Sequence, residues 1–448
     1  MIPPIRPISK RKEASVTIST DRPPCPDESP TLPEDASPAR DPFLWGVATS
    51  AFQLEGSPFA DWTSWDATLC ATPDVTNHYQ VYKEDLALLQ DLGVNAYRFS
   101  IEWSRIQPQE NVWDDQAIAH YQEIIDILIS NNIIPMLTLH HFTHPLWFIN
   151  KYPWHEEASI EKFRAFAEKM LRTLRGVKYW ITFNEPYVLV LAGYFEGCTP
   201  PAIRSPLLGV KALTNILRAH GAVYDMIHAL LPDARVSVAH NMAAFAPWHS
   251  WNPFDKLLAR IAKHFYNHSL LDAFLNGTLR IKFPLSKERC LAVPIKGKLD
   301  FFGLNYYTRI HLRFNPFKKM GIEMRHRDIE GHGLTDMGWE IHPYGLAKVL
   351  RYAAKLKVPI IITENGIATN DDQKRIKFMK RHIDVLERCM KDGMDIRGYF
   401  HWSLIDNYEW LQGLGARFGL YRVDFKTLQR KPTNSAAYYS YIIKSRTR

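Results

Sequence analysis

The sequence contains no apolar run approaching the roughly eighteen residues that a membrane span needs, and its N-terminus lacks the apolar stretch of a secretory signal. Its five cysteines (Cys25, Cys70, Cys198, Cys290 and Cys389) are scattered, odd in number and without a C-x-x-C pair. Neither a disulfide framework nor a zinc site is expected from them, and a reducing compartment is favoured. No glycine-rich phosphate loop follows the first strand-like run, where Gly46 and Gly56 make no such motif. Gly413-Leu414-Gly415 with Gly419 falls after the last strand-like run and reads as a tight loop. Basic residues cluster only in short runs such as Lys10-Arg11-Lys12 and Lys374-Arg375, so the net charge of +8 describes a solvated surface. The expectation is a cytoplasmic protein with neither a nucleic-acid nor a membrane partner.

What is present is a large core. The 448 residues are 46% hydrophobic and include 13 Trp, enough for one big domain or two ordinary ones. Residues 1–41 hold nine of the 29 prolines among Ser, Thr, Asp and Glu, and are expected to form a disordered leader. From Pro42 to Arg448 the pattern is regular. Apolar strand-like runs occur at Phe43–Gln53, Val94–Ser100, Ile133–Phe142, Lys178–Glu185, Ala234–Asn241, Phe301–Tyr307, Pro359–Glu364 and Ile396–Leu404. Segments with helical spacing lie between them, among them Val81–Leu92, Asp115–Ser130, Ile160–Leu174, Val210–Leu231, Tyr344–Lys357 and Asp372–Lys391. Eight near-continuous apolar strands alternating with helices imply a parallel sheet. Eight such units fit an α/β fold of the closed (β/α)8 TIM-barrel type in a single catalytic domain, residues 42–448, better than an open doubly wound sheet.

In such a barrel the chemistry sits where the strands end. Two ends share one design. Lys178–Phe183 runs apolar into Asn184-Glu185-Pro186, and Pro359–Ile362 into Thr363-Glu364-Asn365-Gly366. A carboxylate at the mouth of a buried strand is costly without a partner or a task, and two of them read as an acid–base pair. Pro186 should hold Glu185 extended. The other strand ends bring Gln53 and Glu55, Arg98, His140-His141, Asn305-Tyr306-Tyr307, Trp402 and, just beyond, Asp406–Trp410. His140, His141 and His144 invite a metal reading. Neighbouring strand residues point to opposite faces, however, so His140 and His141 cannot share one ion, and no metal is expected. Two carboxylates among hydroxyl-binding groups suit glycoside hydrolysis, with one protonated and the other kept ionised by a cation, for which Arg98 is best placed.

The motifs carry a further resemblance. Phe43–Gly56, Tyr97–Ile106, Thr182-Phe183-Asn184-Glu185-Pro186, Gly303–Tyr307, Ile362–Gly366 and Trp402–Asp424 fall in order, and together they resemble glycoside hydrolase family 1, the retaining β-glucosidases. The resemblance covers residues 43 to about 442 and implies roles. Glu185 would be general acid and then base, and Glu364 the nucleophile. Asn184 would bind the sugar 2-hydroxyl. Arg98 and Tyr307 would orient Glu364, with Asn305 supporting the same area. Gln53, His141 and Glu409 would hold the hydroxyls of the non-reducing sugar, with Trp410 beside them and Trp402 as the stacking floor. Phe418 would close that pocket, and Trp339 would face the aglycone. No cofactor is implied.

Phe142 and Thr143-His144 depart from the family's usual Trp and Asp-Leu, and the short Glu55–His78 connection implies an open aglycone side. Retention of Glu409-Trp410 implies an unphosphorylated glycone. The expected function is a retaining exo-β-glycosidase acting on small β-glucosides, galactosides or fucosides. Transglycosylation at the same site and non-catalytic sugar binding are the alternatives.

Overall fold

Strands that are apolar on both faces must be covered on both. In the computed structural model, which describes residues 42–66, 75–282, 289–318 and 321–446, these strands form the wall of a barrel. The expected leader, residues 1–41, lies outside the described residues. The strands are β1 (Leu44–Ala48), β2 (Ala96–Ser100), β3 (Ile134–His140), β4 (Tyr179–Asn184), β5 (Arg235–Pro247), β6 (Phe302–Phe314), β7 (Ile322–Arg325), β8 (Ile360–Asn365) and β9 (Ile396–Trp402). Eight of them pair in parallel in the order β8-β9-β1-β2-β3-β4-β5-β6, and β6 pairs with β8 to close the ring. The remaining strand, β7, lies antiparallel on the outer end of β6.

Helices α1 (His78–Leu92), α2 (Asp115–Ser130), α3 (Ala158–Thr173), α4 (Pro206–Leu230), α5 (Pro253–Lys263), α6 (Pro343–Ala353), α7 (Asp372–Lys391) and α8 (Asn434–Arg446) are among those that accompany the strands. Their starts are written locally. Asp114, Ser205 and Asp371 accept backbone N–H groups of the first turns of α2, α4 and α7. The buried stripes of these helices, including Leu89, Ile125, Phe163, Leu213, Leu346 and Met379, join the outward strand residues in one continuous core. A second cluster, including Leu44, Ala96, Met136, Ile181, Ile361 and Phe400, gathers the alternate strand residues, which point into the barrel. Gly46 and Gly303 leave no room there for a Cβ, because a neighbouring strand's carbonyl lies against each.

The eight expected strands are all present, with informative changes of length. The first ends at Ala48, not Gln53. Thr49 N–H bonds the Arg98 carbonyl at 2.9 Å, and Ala51–Glu55 then turns into a short helix ending at Gly56. Conversely, β5 and β6 run well past Asn241 and Tyr307. They stay paired to each other as far as Pro247↔Leu312, so the extra residues find ladder partners that their sequence alone does not disclose. Among the described residues no helix is long and apolar enough to cross a membrane.

Candidate active site

Strand β4 delivers Asn184 and Glu185. Glu185 does not stay extended. It turns left-handed, with φ 45° and ψ 59°, and Pro186 starts a short helix to Val190. Proline's demand for a non-helical predecessor is met, but by the left-handed region rather than the β region. Such a backbone is costly for a residue with a Cβ and persists where the surroundings over-determine it. The Glu185 N–H is fixed by a 2.7 Å bond to the Ala239 carbonyl. Strand β8 delivers Glu364, followed by Asn365 and Gly366. A Cβ at Gly366 would collide with the Trp402 carbonyl, so glycine there lets this strand end pack against β9.

The two carboxylates have different company. Arg98, fully buried on β2, donates Nη1 to Glu364 Oε1 at 2.5 Å and Nη2 to Asn184 Oδ1 at 2.7 Å. Tyr307 of β6 donates its hydroxyl to Glu364 Oε2 at 2.6 Å. Both Glu364 oxygens are thus engaged, one by a cation. Among the described residues Glu185 has no cation in contact. Its Oε1 accepts from Asn305 Nδ2 at 2.7 Å and from Asn241 Nδ2 at 2.9 Å. Asn305 of β6, in register with Glu364, supports this area: its amide reaches Glu185 and Asn184 and its carbonyl takes the Thr363 hydroxyl at 2.7 Å, so it ties the two strand ends together.

This asymmetry sets the charges. Burial first, and then the negative charge of Glu364, push the Glu185 carboxyl up to about 8, against the lowering pull of Asn305, Asn241 and Arg98. Burial and the Glu364 charge also raise Tyr307, which keeps its proton for Glu364. The result is one carboxyl that carries its proton at neutral pH facing another held by a guanidinium.

The remaining groups surround a cavity of about 400 Å3. Gln53, His141, Asn184, Glu185, Tyr307, Trp339, Glu364, Trp402, Glu409, Trp410 and Phe418 all line it. Arg98 and Asn305 stand behind that wall and act through Glu364, Asn184 and Glu185. Gln53 spans the gap between β1 and the last loop, donating Nε2 to the Tyr408 carbonyl at 2.9 Å and to Glu409 Oε2 at 3.2 Å. Burial, with the Glu364 charge second, raises the Glu409 carboxyl to about 8. His141 lies nearly parallel to Trp402 and Trp410, with centroids at 5.9 and 6.2 Å. Burial, and Arg98 nearby, hold its ring well below the usual histidine range, so it is neutral. Its Nε2 faces Asn184 Nδ2 at 3.1 Å and its buried Nδ1 has no partner among the described residues, which makes Nδ1–H a free donor when Nε2 accepts.

His140, one residue earlier, turns the other way and packs against Trp154, Phe163 and Phe183. His144 is held by Asp61 at 2.7 Å and by the Trp154 indole at 2.8 Å. The three histidines are not brought together on one ion. Phe142, at a positive φ of 71°, lines the cavity edge-on to Trp410 at 5.2 Å. Thr143 bonds Glu102. Residues 67–74, within the short Glu55–His78 connection, lie outside the described residues.

Several lining groups were not anticipated: Asn241, Tyr266, His326 and Met337 among them. No local signal marks Asn241, a polar residue within a strand. Its place follows from the register Asn241↔Asn305.

The family model of glycosyl hydrolase family 1 matches residues 36–448. Among curated proteins, β-glucosidase A of Thermotoga maritima is 33% identical over 439 residues, which cover 90% of this chain and 97% of that protein. Among solved structures, a β-glycosidase from Pyrococcus horikoshii superposes with a TM-score of 0.82 at 38% identity, covering 89% of this chain and 93% of that one. A T. maritima β-glucosidase in complex with deoxynojirimycin matches with a TM-score of 0.80 at 31% identity, over 90% of this chain and 97% of that chain.

Proposed function

Because the chain belongs to glycosyl hydrolase family 1, we propose that it is a β-glucosidase that releases β-D-glucose from small β-glucosides with retention of configuration, and that it also accepts β-galactosides and β-fucosides. Relatives that carry the name β-glucosidase support the reaction class. The observation that carries the assignment of roles is the unequal company of the two carboxylates.

Glu364, ionised beside Arg98 and Tyr307, attacks the anomeric carbon, while Glu185 gives its proton to the departing aglycone oxygen. The C–O bond to the aglycone breaks as a Glu364–glycosyl ester forms. Glu185, now a carboxylate, takes a proton from water, which attacks the same carbon and returns the Glu364 carboxylate. Two inversions leave the sugar in its starting configuration.

Asn184 is prepared for the sugar. Its Oδ1 is occupied by Arg98 and Asn305, and one amide hydrogen goes to His141, which leaves the other for the 2-hydroxyl. The unpartnered His141 Nδ1–H, Gln53 and the Glu409 carboxyl hold further hydroxyls, and Trp402 stacks on the apolar sugar face. Trp339, with Met337 and His326, borders the aglycone side. The site acts in the cytoplasm without cofactor.

The test is release of p-nitrophenol from β-glucoside, β-galactoside, β-fucoside and the corresponding α-anomers. Turnover of the β-anomers alone, led by the glucoside, is expected. Silence across the β set, or turnover of the α-anomers, would overturn the reading.

A further inference from the structure

Beyond the barrel, β5 and β6 continue outward together, and β7 folds back on β6 with Leu312↔Met324 and Phe314↔Ile322 in register. Residues two apart share a face of a strand, so Leu312 and Phe314 lie on one side with Met324 and Ile322 opposite them. Leu312 is buried, but Phe314 and Met324 open to solvent. Helix α5 supplies the neighbouring surface. Asn252 caps it through the Phe254 N–H at 2.9 Å, and the Phe254 ring stacks on Phe314 at 5.2 Å and 28°. Trp251 and Leu257, three residues to either side of Phe254, are also open, Trp251 to 74%. Phe317, at the hairpin tip, is 95% exposed. Leaving these six large side chains in water is costly, and such a grouping of exposed apolar side chains around the Phe254–Phe314 stack marks a docking surface.

The charges around the patch have one sign. Lys256, Arg260 and Lys263 are exposed on α5, and Lys318 is exposed beside Phe317. The acids close by are spent within the fold. Asp255 is fully buried, holding the backbone N–H groups of His249 and Phe314 at 3.0 and 2.8 Å, and Glu323 pairs with Arg325. Arg327 lies over the Trp248 ring at 4.6 Å, adding a further cation to this end of the strands.

We propose that this aromatic and basic tip, formed by the start of α5 and the β6–β7 hairpin, docks the enzyme on an anionic lipid surface. Trp and Phe side chains seat at the boundary between headgroups and acyl chains, while the flanking Lys and Arg meet anionic headgroups. Charge decides the occupant. A second copy of the chain would bring like-charged rims together, which disfavours self-association. The cytoplasmic leaflet, by contrast, carries the complementary charge. The expectation of no membrane partner rests on the absence of a span, and surface docking needs none. The same two strands carry Asn241, Ala243, Thr308 and Ile310 on the cavity wall, so the docking tip and the outer part of the cavity are built on one rigid ribbon.

Co-sedimentation of the full chain with extruded vesicles tests this. Retention on phosphatidylcholine vesicles containing phosphatidylglycerol is expected, with release at raised salt and little retention on phosphatidylcholine alone. The double variant W251E/F317E should partition at least about tenfold more weakly. Its p-nitrophenyl glycoside turnover and melting temperature should match the parent's, since both side chains sit in solvent. K256E/K318E should lose the preference for phosphatidylglycerol. Absence of retention at low salt, or equal retention of the parent and the double variant, would overturn the proposal. So would light scattering that shows a dimer which W251E/F317E dissolves in the absence of any vesicle binding. None of these readouts depends on which glycoside the enzyme cleaves.

Discussion

Asn241 donates its side-chain amide to Glu185 Oε1 at 2.9 Å, so the carboxyl assigned as the acid is tuned by a strand that contributes no carboxylate of its own to the site. The bond favours the charged form of Glu185 and works against the upward push of burial and Glu364. Removing it in Asn241→Ala should raise the Glu185 pKa further. The basic limb of the kcat/KM profile should then move to higher pH by about one pH unit, as expected for one hydrogen bond to a charged acceptor. An unmoved limb would show that Asn241 does not reach the working carboxyl.

The parent enzyme should lose activity as the pH rises through about 8, where Glu185 gives up its proton. Glu409 rises to about 8 as well, so two variants are needed to assign the limb. Glu409→Gln should weaken substrate binding and leave the basic limb in place. Glu185→Gln should slow turnover of an unactivated alkyl glucoside by about 10²–10⁴-fold and abolish that limb. Parent-like rates in Glu185→Gln would remove it from the acid role.

Glu364→Ala should be inactive on its own. Azide, small enough to enter the space left by the carboxylate, should restore part of the turnover and give a glycosyl azide of α configuration, since only one inversion then occurs. Nuclear magnetic resonance of the product reads the anomer directly. A β-azide would transfer the nucleophile's role elsewhere.

Arg98→Met tests the buried ion pair. It leaves Glu364 buried without its cation and Asn184 Oδ1 with Asn305 as its one remaining side-chain donor, and loss of one partner of such a pair costs about 3–5 kcal/mol. Denaturant unfolding should show that loss together with near-complete loss of turnover. If stability were unchanged, the pair seen between β2 and β8 would not exist in solution.

Glu102 offers a stability prediction away from the substrate. It is fully buried and accepts from Ser104 and Thr143, with no cation in contact among the described residues. Burial raises its carboxyl from 4.5 to about 7. Across that window the folded state holds a proton that the unfolded state has released, so stability should fall by about 3 kcal/mol as the pH rises from 4.5 to 7. Glu185 and Glu409, raised in the same sense, keep their own slopes in Glu102→Gln, so the variant's slope should be shallower than the parent's by that amount and the variant should melt above the parent at pH 8. A parent and variant with the same slope would refute the raised value.

The barrel is legible in the sequence because each wall strand announces itself as a short apolar run between helical segments, and Asp115–Ser130 and Asp372–Lys391 even keep their expected ends. The carboxylates are legible because each breaks an apolar run. What escapes is whatever depends on pairing between distant strands. The polar Asn241 could equally sit at an exposed strand edge, and only its register with Asn305 turns it toward Glu185. The same limit hides the outer halves of β5 and β6, whose alternating residues look like loop until they are laid side by side. Gln53 is found in the cavity as expected but on a helix, since Thr49 leaves the strand ladder to bond the Arg98 carbonyl. The left-handed turn at Glu185 is likewise imposed by β5, through the Ala239 carbonyl, and not by Pro186 alone.

The first strand of the barrel is paired with the last, Ala48 opposite Trp402, and Tyr439 in the closing helix bonds the Gly46 carbonyl at 2.7 Å. During synthesis β1 therefore leaves the ribosome without its neighbour on that side and waits until some 350 further residues have been added. Its unpaired edge is the longest-lived sticky surface of the nascent chain. A chain cut between Asn365 and Ile396 would hold both strand-end carboxylates but lack the strand that pairs with β1. The ring of strands closes only after β9 has emerged, well behind both strand ends that carry the carboxylates.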